Sequence, residues 1–114
     1  MSHLATQQET VGPVTVLSVS GRVDSANAKE LETEVVQAVE AGTARMVFNF
    51  SDLDYISSAG LRVVLIAGKR LKAAGGGMAL YGLNPTIKDV FEISGFMSLF
   101  EVKADRDAAI AAVG

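Results

Sequence analysis

Branched apolar and small polar residues alternate over 14–20, a period of two that predicts a strand. Gly12-Pro13 makes a turn ahead of it, so 4–11 is expected to form a weaker first strand paired as a hairpin. Asp24 and Ser25 are cap-type residues, and the composition turns helical from Ala26. Leu31, Val35, Ala38 and Val39 fall on one stripe of that helix, and Gly42 stops it. The apolar run 46–50 reads as a buried central strand. A polar loop follows, then a second helix from Ser58 to about Ala74, ending at Gly75-Gly76-Gly77. Residues 78–81 suit another short strand. Asn84 as cap, Pro85 at the first helical position and Gly95 as a left-handed stop delimit a third helix, with Ile87, Val90 and Phe91 as its buried stripe. Residues 99–102 are a last short strand, and 105–113 a terminal helix capped by Asp105.

The order β-β-α-β-α-β-α-β-α, with helices alternating with strands after the hairpin, predicts right-handed crossovers. The expected fold is α/β: a small mixed, mainly parallel sheet of four to five strands with about four helices. At 114 residues, 49% of them hydrophobic, the chain suffices for one compact domain over 1–114 and is too short for two.

Charge and composition narrow the function. Thirteen acidic residues against ten basic ones leave a net charge of −3, the opposite of the concentrated basic face that direct nucleic-acid binding needs. The absence of cysteine excludes disulfide scaffolds and thiolate metal sites. No apolar run approaches the roughly 20 residues of a membrane span. The start, Met1-Ser2-His3-Leu4-Ala5, lacks the pattern of a signal peptide, so a cytoplasmic protein is expected.

The catalytic readings are poor. His3, the only histidine, sits at a terminus, which leaves a Ser-His-acid triad without a base. Ser58-Ala59-Gly60 supplies half of a nucleophile elbow, but Ile56 occupies the first glycine position, so a small serine hydrolase using Ser58 is the least favoured reading. No nucleotide loop occurs, and the loop acids Asp24, Asp52 and Asp54 have no histidine or cysteine beside them to hold a metal. The expectation is a non-enzyme without metal or cofactor.

Ser57 and Ser58 open the second helix, against the free N–H groups of a helix start. For Ser58 that location suits a hydroxyl that caps the helix, and equally a phosphate that the helix end would stabilise. On the same helix Leu61, Val64, Ala67, Gly68 and Leu71 form a sector facing the sheet. Val63 and Ile66 fall on the other side, close to Arg62, Lys69 and Arg70, and are expected to offer a partner surface.

Three segments carry a family likeness: Ser20-Gly21-Arg22-Val23-Asp24, Ile56-Ser57-Ser58-Ala59-Gly60-Leu61 and Gly82-Leu83-Asn84-Pro85. Through them the chain resembles the STAS domain over essentially its whole length, and in particular the stand-alone bacterial anti-sigma factor antagonists. The element order is also that family's. The resemblance implies that Ser58 is phosphorylated by a partner anti-sigma factor that is itself a serine kinase. It implies that the unphosphorylated protein captures that partner, and that a metal-dependent serine phosphatase resets the cycle. Three positions depart from the commoner pattern: Ser57 replaces an acidic residue, Ala59 a serine or threonine, and Asn49 a frequent aspartate. Ser57 thereby becomes a second possible acceptor. Asp24, Ser57, Ser58, Ala59, Gly60, Arg62, Val63 and Ile66 are the expected partner-binding residues, with capping as the alternative role of Asp24. The rival within the family is an interaction or scaffold module that is never phosphorylated.

Overall fold

A computed structural model describes residues 3–114. Strands β1 (Leu4–Val11) and β2 (Val14–Val23) form the expected hairpin, in unbroken antiparallel register from Leu4↔Gly21 to Val11↔Val14. There follow α1 (Ala28–Glu40), β3 (Arg45–Asn49), β4 (Leu53–Ile56), α2 (Ser58–Ala73), β5 (Gly77–Tyr81) and α3 (Pro85–Ile93). A short 3-10 turn (Phe96–Ser98), β6 (Glu101–Lys103) and α4 (Arg106–Val113) complete the chain. The sheet runs β1-β2-β3-β5-β6, with every pair after the hairpin parallel.

The sheet has six strands, where four to five are expected from the sequence. The extra one is β4, in the segment read as a polar loop. It forms because β2 outlasts β3. Residues 15–18 of β2 pair with β3, while Gly21, Arg22 and Val23 remain free to pair with Leu53, Tyr55 and Ile56. The register shifts between Gly21 and Arg22, where Gly21 holds a positive φ of 87° that a side chain would resist.

Helices cover the two faces of the sheet unequally. On one face Leu17, Val19, Met46, Phe48 and Leu80 meet Leu31 and Val35 of α1, Leu61, Val64 and Leu71 of α2, and Ile87 and Phe91 of α3. On the other, Val14, Val16, Val47, Ala79 and Tyr81 meet Ala109, Ile110 and Val113 of α4, with Val11 of β1 at the edge. Arg106, in the first turn of α4, reaches Glu9 of β1 at 2.6 Å. Farther along β2, Ser18 and Ser20 take the positions on this face that valines fill beneath α4. There Asn49 donates from Nδ2 to Ser18 Oγ at 3.0 Å, and its Oδ1 accepts from the Ser51 N–H to turn the chain out of β3.

The third helix follows the sequence signals closely. Asn84 Oδ1 accepts from the Ile87 N–H at 2.9 Å, and its Nδ2 donates to Leu53 O at 3.0 Å. It is therefore a cap and also a strut that ties α3 to β4. Among the described residues no helix is long and apolar enough to cross a membrane.

Candidate functional site

The parallel pair β2 and β4 ends in step, with Val23 opposite Ile56. After β4 the single residue Ser57 leads into α2, whereas residues 24–27 turn the chain from β2 into α1. The Ser57 N–H donates to Val23 O at 2.8 Å, which carries strand pairing one residue past β4. Ser57 is consequently extended (φ −87°, ψ 173°), its Oγ accepts from the Gly60 N–H at 3.2 Å, and its O accepts from the Leu61 N–H at 2.9 Å. That is N-cap geometry. The cap is therefore Ser57, one residue before the Ser58 expected from the sequence, because strand pairing reaches Ser57 and the helix begins after it. Ser58 is the first helical residue, exposed to solvent, and its hydroxyl has no hydrogen-bond partner among the described residues.

Asp24 is half-buried and caps the turn leading into α1. Its Oδ1 accepts from the N–H groups of Ala26 (2.9 Å) and Asn27 (3.1 Å), and its O accepts from the Ala28 N–H at 2.9 Å. Asn27 answers: its Oδ1 accepts from the Asp24 N–H and its Nδ2 donates to Arg22 O, both at 2.9 Å. The structure thus adds Asn27, 3% exposed, which sequence reasoning passed over. The spacing Asp24-x-x-Asn27, a reciprocal capping pattern, is the signal that could have found it.

Two expected contact residues prove to be internal. Gly60 is buried, and a Cβ built on it would approach Ile56 Cγ1 to 2.6 Å and Val23 Cγ1 to 2.7 Å. It lets the first turn of α2 lie against the strand ends and offers a partner nothing. Val63 is only 3% exposed and belongs to the core, contrary to the helical-wheel expectation. The wheel allowed for one covering surface, the sheet. In the fold α1 packs alongside α2, so the flank bearing Val63 is covered as well. Ile66 and Ala59 are half-buried, and Arg62 is exposed.

A further pair escaped sequence reasoning. The Arg22 guanidinium stacks over the Tyr55 ring, 4.4 Å from its centroid, one register step before the Val23–Ile56 pair. This cation–π contact occupies Arg22 beside the helix start. The first turn of α2 carries no acidic side chain. The helix end presents partial positive charge to whatever sits on Ser58. Among the described residues no three His, Asp or Glu side chains gather as a metal site, and the one histidine, His3, leads into β1. Among the described residues no basic side chain hydrogen-bonds the Ser58 hydroxyl, which stands open to solvent.

Comparison with known proteins bears on the whole chain. The family model for the STAS domain matches residues 5–109. The chain is 48% identical over 97 residues to BtrV of Bordetella bronchiseptica, a candidate anti-sigma factor antagonist, covering 85% of this chain and 84% of that protein. It superposes on the crystal structure of a candidate anti-sigma factor antagonist from Thermotoga maritima with a TM-score of 0.90 at 20% identity, over 95% of this chain and 93% of that one. The Bacillus cell fate determinant SpoIIAA in its phosphorylated form aligns with a TM-score of 0.73 at 24% identity, over 95% and 99% of the respective chains.

Proposed function

The chain belongs to the STAS domain family, and from that premise we propose that it is a cytoplasmic anti-sigma factor antagonist switched by phosphorylation of Ser58. In the unphosphorylated state it binds an anti-sigma factor that is also a serine kinase, and so frees the sigma factor. The kinase transfers the γ-phosphoryl group of ATP to Ser58 Oγ, which gives up its proton, and ADP leaves. The phosphorylated protein lets the partner go until a metal-dependent phosphatase hydrolyses the ester. The protein itself catalyses nothing in this cycle.

The observation that carries this reading is the division of labour between the two serines. Ser57 supplies the cap, so Ser58 is free of structural duty and exposed at the end of a helix that favours anions. A phosphate adds about −1.5 to −2 charges at a position where the fold tolerates them. Its cost falls on a partner docked over the helix start, through repulsion and desolvation. The docking face in this reading takes in exposed Arg62, half-buried Ala59 and Ile66, and the Asp24 loop.

Peptide mass analysis after incubation with the cognate kinase and ATP tests the reading. Phosphate is expected on Ser58. Phosphate confined to Ser57, or none with a partner that demonstrably binds, refutes it.

A further inference from the structure

Resting on the reading of Ser58 as phosphoacceptor, we propose that Arg62 is the internal counter-ion of the phosphate. In the unmodified protein Arg62 is a free basic contact for the partner. Once Ser58 is phosphorylated, its guanidinium turns onto the phosphate. The modification thus adds a negative charge to the docking face and withdraws a positive one in the same event.

Three observations lead here. Ser58 and Arg62 stand four residues apart in α2, hence on one face of the helix. Side chains on a helix lean toward its N-terminus, so the arginine stem runs back over the turn that bears Ser58. An anion placed N-terminal to a cation at this spacing is also the favourable order. Second, Arg62 is exposed and uncommitted. The salt bridges among the described residues join Lys103 to Glu101 and Arg106 to Glu9, while nearby Arg22 is engaged by Tyr55. Third, the geometry distinguishes the two serines. The residue four positions after Ser57 is Leu61, apolar and buried, so a phosphate on Ser57 would find no cation at that spacing and would also displace the cap. Guanidinium suits the role because its planar fork meets two phosphate oxygens at once.

The test needs no partner protein. Phosphoserine is encoded at position 58 in the parent, in Arg62→Gln and in Arg62→Lys, and each is melted beside its unmodified counterpart. In the parent the phosphate is expected to raise Tm by about 3 °C, the scale of a sub-kilocalorie gain in a domain of this size. At least half of that rise should vanish in Arg62→Gln and part of it return in Arg62→Lys. The Arg62 Nε–H resonance should move on phosphorylation of the parent. An equal rise in parent and Arg62→Gln, or no rise in the parent, overturns the proposal. Because Arg62 is exposed, neither variant threatens folding. The two readings also fail separately: partner release by phosphate can persist with no Arg62 coupling, and the coupling can be measured where no release occurs.

Discussion

The starts of α1 and α2 emerge from neighbouring strand ends and differ in one respect, the completeness of their hydrogen bonding. At the first, Asp24 and Asn27 bond each other's backbone, and the remaining Asn27 donor reaches back to Arg22 O. These bonds tie Asp24 and Asn27 to the backbone, and Asn27 is buried among them, while the exposed Ser25 hydroxyl stands outside the network. At the second, Ser57 supplies the side-chain cap by accepting from the Gly60 N–H, and Ser58 adds a hydroxyl that bonds nothing and faces water. A closed network holds a fold together and resists change. A surplus group beside a satisfied cap can be altered at little structural cost, and that is what a regulatory modification requires.

The sharpest way to break this contrast is to charge the surplus position. Ser58→Asp should weaken capture of the anti-sigma partner by more than 100-fold, since a charge forced into a docked surface that offers it no counter-charge from the partner costs several kcal/mol. Its stability should stay within about 1 kcal/mol of the parent, because a carboxylate in the first turn meets the favourable end of the helix. Calorimetric titration and thermal melts read the two effects separately. Full-strength binding by Ser58→Asp, or its unfolding, removes the basis of the switch.

The complementary change opens the closed network. Asn27→Ala removes a buried side chain and strips the acceptor from the Asp24 N–H and the donor from Arg22 O in a part-buried network. Leaving two such groups unpaired should cost about 3 kcal/mol. Denaturant titration measures it through the midpoint. A loss below about 0.5 kcal/mol would mean that the α1 start is no more committed than the α2 start, and the comparison would lose its meaning.

Much of this architecture was legible because the signals are local. The hairpin at Gly12-Pro13, the Asn84-Pro85 helix start and the Asp105 cap each rest on a few adjacent residues, and each stands where local chemistry puts it. What escaped depends on the rest of the chain. β4 has only Leu53 and Ile56 as buried positions, three apart, and becomes a strand because distant β2 leaves three residues unpaired. Val63 is core because α1 happens to lie beside α2, a fact no helical wheel contains. The Arg22–Tyr55 stack likewise exists only through that strand pairing. At the site the sequence offered two adjacent serines and pointed to Ser58 as the cap, although Ser57 satisfies the same rule. Which one caps depends on where strand pairing stops, and the bond from the Ser57 N–H to Val23 O decides it.

That decision yields the finest test, two alanine substitutions one residue apart. Ser57→Ala removes the oxygen that accepts from the Gly60 N–H and should cost about 1 kcal/mol, the usual value of an N-cap. Ser58→Ala removes a hydroxyl with no partner at an exposed first helical position, where alanine is itself a good helix former, so the change should stay within about 0.5 kcal/mol. Had Ser58 been the cap, as the position of a serine before a helix suggests, the order would be reversed. Function should divide the other way. Ser57→Ala is expected to remain a kinase substrate, less stable but still switchable. Ser58→Ala should fold and bind like the parent and never be released. Paired melts with phosphorylation assays on the same samples give four readings. A Ser58→Ala variant that loses more stability than Ser57→Ala would return the cap to Ser58 and leave the switch without a free hydroxyl.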